Sequence, residues 1–274
     1  MSGIMWLASY PKSGNTWLRA FLINLLADGQ DPVAFSDYWH YISSEASGHW
    51  YSKKLGRELR AGDMKLISKL RPSVQRDIAR SKNGQVFTKT HNSVCKAFGS
   101  DQVNMSVSTG AIYILRNPMD VAISFANHAG VSVDDAITTM AQPGTCSVMR
   151  SDRAFEFTSD WSSHVKSWME APFDQRRVIR YEDMIDSPIE VLGGVAKFLK
   201  LPDEPEKIEK AVRFSSFQAL KKLEEQTGFD EKPKMAEAFF RQGSKDQWRD
   251  ILSKEQQARI CARHKEQMQQ FGYI

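Results

Sequence analysis

Cysteine is scarce in this chain. Only Cys95, Cys146 and Cys261 occur among 274 residues, too few and too scattered for a disulfide framework or a zinc site, so they read as free thiols of a reducing cytoplasm. No apolar run is long enough to span a bilayer, and no basic-then-apolar leader opens the sequence. Excess charge is also missing: 37 Lys and Arg against 33 Asp and Glu leave a formal net charge of +4. Without a clustered basic stripe, that balance suits anionic small molecules better than nucleic acid. Internal repeats and low-complexity tracts are absent. The length fits one α/β domain over residues 1–274 with a substantial core.

What the chain does have is a strongly patterned start. Ile4 to Ala8 is almost continuously apolar, as expected for a strand buried on both faces. Tyr10-Pro-Lys-Ser-Gly14 breaks it, and Leu18, Phe21, Leu22, Leu25 and Leu26 then recur at helical spacing, which starts a helix near Asn15 or Thr16. The free N–H groups of that helix point back at the loop, a cradle for a phosphate. Lys12 adds charge there, and Ser13, Asn15 and Thr16 add donors. The order Lys-Ser-Gly differs from the Gly-Lys-Ser/Thr of nucleoside triphosphatase loops.

Three further strands follow. Gln85–Lys89 runs into Thr90-His91, and alternation puts Lys89 and His91 on one side of the extended chain, at the strand end where open α/β sheets hold ligands. Ala111–Leu115 leads to Arg116-Asn117-Pro118 and a helix from Met119 to His128 that carries Ser124. Arg177–Tyr181 is the fourth, followed by Glu182-Asp183, a pair suited to acid/base work, to magnesium, or to anchoring backbone donors. His164 reads as structural. Leu55 to Arg80 reads as surface helices, Lys221 to Glu237 as a charged loop, and Ser253 with Gln256 as the capping box of a closing helix.

Taken in order, these motifs resemble one family, the sulfotransferases that use 3′-phosphoadenosine 5′-phosphosulfate. The resemblance rests on Tyr10-Pro-Lys-Ser-Gly-Asn-Thr-Trp17, Lys89-Thr-His91, Arg116 with Ser124, Arg180-Tyr-Glu-Asp183, Ser215-Ser-Phe217 and Arg241-Gln-Gly243 with Trp248. It implies the family's fold: a central parallel sheet flanked by helices, with a P-loop-like phosphate-binding loop. It also implies that the loop from Lys12 through Ser13, Gly14, Asn15 and Thr16 holds the 5′-phosphosulfate. Arg116, Ser124 and Arg241 would hold the 3′-phosphate, with Trp17, Tyr181 and Phe217 around the adenine. Ser215, Phe240, Gln242 and Gly243 complete the nucleotide-binding set. His91 would be the base, Lys89 would lie on the sulfuryl oxygens, and Ser124 would restrain Lys12.

The family's Arg-Lys-Gly reads Arg241-Gln242-Gly243 here, and its Gly-Asp-Trp reads Asp246-Gln247-Trp248. The C-terminal clamp has therefore lost a cation, and its acid stands one residue earlier. The aromatic content favours a hydroxylated small molecule or lipid as acceptor, such as a phenol or sterol-like alcohol, over a polysaccharide, in a pocket walled by residues 28–83, 128–152 and 221–238. The expectation is a cytoplasmic enzyme with no metal, no nucleic acid and no membrane span, a homodimer being one open arrangement. A magnesium-dependent kinase and a non-catalytic nucleotide-binding scaffold remain the alternatives from other classes.

Overall fold

The structure, a computed structural model, describes residues 3–232 and 238–274. The strands of its main sheet are β1 (Gly3–Ser9), β2 (Ser43–Ser44), β3 (Gln85–Thr90), β4 (Ser108–Leu115) and β5 (Arg176–Arg180). They form one sheet in the order β2-β3-β1-β4-β5, and every pairing is parallel. This is the architecture expected from the sequence.

Strand β1 lies at the centre, which explains its unbroken apolar run. Ile4, Trp6 and Ala8 face one core, while Met5 and Leu7 face the other. Helix α1 (Asn15–Ala27) covers the second face with Leu18, Phe21, Leu22 and Leu25. The first face receives α2 (Met64–Ala79), α3 (Pro118–Ala129), α4 (Val133–Ala141), α5 (Trp161–Glu170) and the closing helix. Helices α6 (Pro188–Phe198), α7 (Pro205–Phe214) and α8 (Phe217–Thr227) extend the α1 side. The closing helix α9 (Lys254–Gln270) starts with the expected capping box, Ser253 Oγ accepting from Gln256 N–H and the Gln256 side chain accepting in return.

Residues 28–83 also contribute to the sheet and the core. Residues 28–83 contribute β2, which pairs Ser43 and Ser44 with Thr88 and Lys89 and extends the sheet. Helix α2 is not merely a surface helix, because it buries Ile67, Val74 and Ile78 on the sheet and with them Arg71. That guanidinium can be buried because Glu45 Oε2 accepts from it at 2.6 Å and Phe155 O at 2.6 Å. The charged stretch expected as a loop is helical through Thr227, and its residues 233–237, with Pro233, lie outside the described residues.

Candidate active site

Strand register brings the motif residues together. Ala8 pairs with Thr90, Ser9 with Ile114, and Leu115 with Arg180. The turn after Ser9, His91, Arg116 and Tyr181 therefore leave the sheet side by side at its C-terminal edge, the binding edge of an open parallel sheet.

The loop is held open by its own backbone. Lys12 has φ +68° and Gly14 φ +99°, left-handed values that cost a side-chain-bearing residue about 1–2 kcal/mol. Arg116 secures the strained position by donating from Nη1 to Lys12 O at 2.9 Å, and from Nη2 to Ser244 O at 3.2 Å. Its guanidinium also lies 4.1 Å from the centroid of the Tyr181 ring. Tyr181 in turn meets Trp17 edge-on at 5.9 Å and packs so tightly on Gly14 that a Cβ there would come within 2.6 Å of its Cδ2. Asn15 Nδ2 donates to Leu7 O at 2.9 Å, tying the helix start to β1, and Thr16 Oγ1 accepts from Arg19 at 3.0 Å.

The loop fits an anion on its own geometry. Ser13 Oγ and Arg116 Nε are buried with no protein partner among the described residues, beside the uncapped first turn of α1. Lys12 Nζ lies 3.2 Å from His128 Nδ1 and 4.4 Å from the centroid of the Phe239 ring. Burial, then the nearby Arg116 cation, lowers the Lys12 pKa to about 8, with Glu231 opposing.

The second cluster is at the end of β3. His91 Nδ1 is 2.7 Å from Ser9 O. A carbonyl oxygen only accepts, so Nδ1 carries the proton and Nε2 is left as a base. Burial, reinforced by the Lys89 cation, pushes the His91 pKa down to about 3, against Glu156 and the Ser9 carbonyl. Lys89 is only 2% exposed, and burial followed by Arg153 lowers its pKa to about 8.

The residue that organises this cluster is Glu156, which sequence reading missed. Its Oε1 accepts the His91 backbone N–H at 2.8 Å, and its Oε2 takes both Lys89 Nζ at 3.4 Å and Arg153 Nη2 at 3.3 Å. Burial raises the Glu156 pKa, but Lys89, His91 and Arg153 outweigh it, and the carboxyl stays ionised well below the usual range. Behind it His164 is structural, as expected: Nε2 donates to His91 O at 3.1 Å and Nδ1 accepts from Tyr113 O–H at 2.8 Å.

The remaining motif residues are more dispersed. Ser124 is half-buried on α3, but the ammonium of Lys12 engages His128, one turn further on, instead. Ser215 spends its hydroxyl on Ala211 O at 2.8 Å. Phe217 packs on Gly243, where φ is +60° and a Cβ would come within 2.3 Å of its ring. Phe240 is buried, its N–H donating to Glu224 Oε2 at 3.0 Å. Arg241, Gln242 and Gly243 are exposed, Arg241 Nη2 donating to Gln247 Oε1 at 3.2 Å.

The acid in the clamp is structural. Asp246 adopts φ +61° and accepts from Trp248 Nε1 at 3.2 Å, while Asp120 takes the N–H groups of Asp246 and Trp248 at 2.8 and 3.1 Å. Glu182 likewise anchors a backbone donor, the N–H of Asn117 at 2.9 Å.

Among the described residues no helix is long and apolar enough to cross a membrane. Cytosolic sulfotransferase 15 of Arabidopsis thaliana is 28% identical over 276 residues, spanning 93% of this chain and 69% of that protein. Flavonol 3-sulfotransferase of Flaveria bidentis is 22% identical, over 92% and 77% of the two chains. The fold is shared with a mouse sulfotransferase complexed with PAP, at TM-score 0.61 and 19% identity over 98% of this chain and 85% of that one. It is also shared with retinol dehydratase in complex with androsterone and inactive cofactor PAP, at TM-score 0.64 and 18% identity over 97% and 80%. The sulfotransferase domain family model matches residues 4–272, and the chain belongs to that family.

Proposed function

We propose that the chain transfers the sulfuryl group of 3′-phosphoadenosine 5′-phosphosulfate to a hydroxyl of a small-molecule or lipid acceptor, in the cytoplasm, with His91 as general base. The observation that carries this reading is the His91 ring: Nδ1 is committed to Ser9 O at 2.7 Å, leaving Nε2 unprotonated on a residue that follows the end of β3, the strand paired with β1. PAP in the related structures and the cytosolic sulfotransferases among the relatives support the donor and the compartment.

The residues divide the work. The Lys12 loop and α1 N-terminus take the 5′-phosphosulfate, and Arg116 supports both that loop and the 3′-phosphate side with Ser124 and Arg241. Trp17, Tyr181 and Phe217 frame the base. His91 Nε2 accepts the hydroxyl proton as the acceptor oxygen bonds to sulfur, and the S–O bond to the 5′-phosphate breaks. Lys12 meets the charge growing on the departing oxygen, and Lys89 meets the sulfuryl oxygens. Preformed cations of this kind stabilise a loose in-line transition state.

The test is transfer of ³⁵S-labelled sulfuryl from the donor across a panel of phenols, sterol alcohols and hydroxylated lipids. Labelled product with at least one hydroxyl acceptor, lost in His91→Ala, supports the reading. Binding of the nucleotide without transfer to any acceptor would overturn it in favour of a non-catalytic nucleotide-binding protein.

A further inference from the structure

Lys12 is held by a residue outside the motifs that mark the site. His128, in the last turn of α3, presents Nδ1 to Lys12 Nζ at 3.2 Å. Phe239 closes the third side, 4.4 Å from the ammonium at its centroid and edge-on to the imidazole at 6.1 Å. An ammonium has protons and no lone pair, so Nδ1 accepts and the His128 proton resides on Nε2. Three separate elements, the anion loop, α3 and the segment after residue 238, thus converge on one nitrogen.

We infer that His128 is the positioning residue for Lys12: by accepting from Nζ it fixes the ammonium at the anion loop and favours its charged form. The surroundings of Lys12 otherwise oppose that charge, since burial and Arg116 lower its pKa and only Glu231 resists. A hydrogen bond to the charged form acts in the opposite direction. His128 itself faces Lys12, Arg153 and Arg150, which add to burial in lowering its pKa to about 4 against Glu231. It therefore stays neutral, and an acceptor, throughout the range in which Lys12 must be charged.

The titration of Lys12 can be read without any transfer assay, by competitive acetylation with acetic anhydride across pH and mass spectrometry of the Lys12 peptide. His128→Leu keeps the bulk and removes the acceptor, whereas His128→Asn offers Oδ1 where Nδ1 stood. The Leu variant is expected to move the Lys12 midpoint to lower pH by about one unit, the size of a lost hydrogen bond to a charge. The Asn variant returns it most of the way. In the transfer reaction, an arm that rests on the function proposed above, Leu lowers kcat about tenfold and Asn recovers it. An unmoved midpoint in the Leu variant, or an Asn midpoint displaced as far as that of Leu, would overturn the inference. Failure of wild-type transfer would sink the proposed function alone and leave the titration to decide the role of His128.

Discussion

Glu156 Oε1 accepts the backbone N–H of His91 at 2.8 Å, across 65 residues of sequence. Its other oxygen takes Lys89 and Arg153. One buried carboxylate thus fixes the backbone of His91 and balances the Lys89 cation.

Removing that carboxylate separates its two duties. Glu156→Gln keeps an oxygen for the His91 N–H but takes away the anion, so the Lys89 pKa, already near 8, falls further. The alkaline limb of kcat then moves to lower pH, and turnover at pH 7.5 drops about tenfold. Glu156→Ala leaves Lys89 buried without that counter-ion and costs about 3 kcal/mol in urea unfolding. An alanine variant as stable as the wild type would remove Glu156 from this role.

His91→Ala lowers kcat by about 10²–10⁴-fold, the usual worth of a general base, while affinity for adenosine 3′,5′-bisphosphate stays within about threefold. Steady-state kinetics and calorimetry on the same preparation check both halves. Retention of full turnover would exclude His91 from proton transfer. Because the His91 pKa is near 3 in the folded chain, the acid limb of wild-type kcat/KM lies well below the ordinary histidine value.

Gly14→Ala tests the loop itself. The position has φ +99° and a Cβ would meet Tyr181 Cδ2 at 2.6 Å, so strain and overlap add up to about 2–3 kcal/mol of lost stability. Gly130→Ala is the control, with φ +66° but open space around it, and costs about 1 kcal/mol. Denaturant midpoints for the two variants give the comparison, and equal losses would contradict the packing of Tyr181 on the loop.

Acid destabilises the fold through histidines kept neutral. Burial is the main cause lowering His91 to about 3 and His128, His164 and His264 to about 4, against an ordinary 6.5. Folded pKa values below the unfolded ones mean that the unfolded chain binds more protons, so stability is full above pH 6.5 and is lost as pH falls toward 4. For His164 alone the loss is about 3 kcal/mol. Calorimetric unfolding near pH 5 in buffers of different ionisation enthalpy should register uptake of several protons; no uptake would contradict the buried-neutral assignment.

Much of the candidate site was legible because strand ends are local features. The apolar run of β1, the turn at Pro11 and Gly14, and the positions of Lys89, His91 and Arg116 all follow from short-range pattern and parallel register. What escaped was set by packing between distant segments. Glu156 lies in an irregular stretch and reaches His91 only through the fold, and His128 meets Lys12 across 116 residues. The edge strand Ser43–Ser44 has two small polar residues and no alternation to betray it. Ser215 sits in a motif, yet its hydroxyl is taken by the preceding helical turn, a competition that spacing does not reveal.

The most direct test of the account is a calorimetric titration of adenosine 3′,5′-bisphosphate into the wild type, Lys12→Ala and Arg116→Ala. One binding site per chain is expected, weakened at least about tenfold by each substitution, a loss typical of one charge-assisted contact. Arg116→Ala should suffer more, since it also frees Lys12 O and Ser244 O. No binding to the wild type, or affinity indifferent to both substitutions, would contradict the assignment of the nucleotide to this loop.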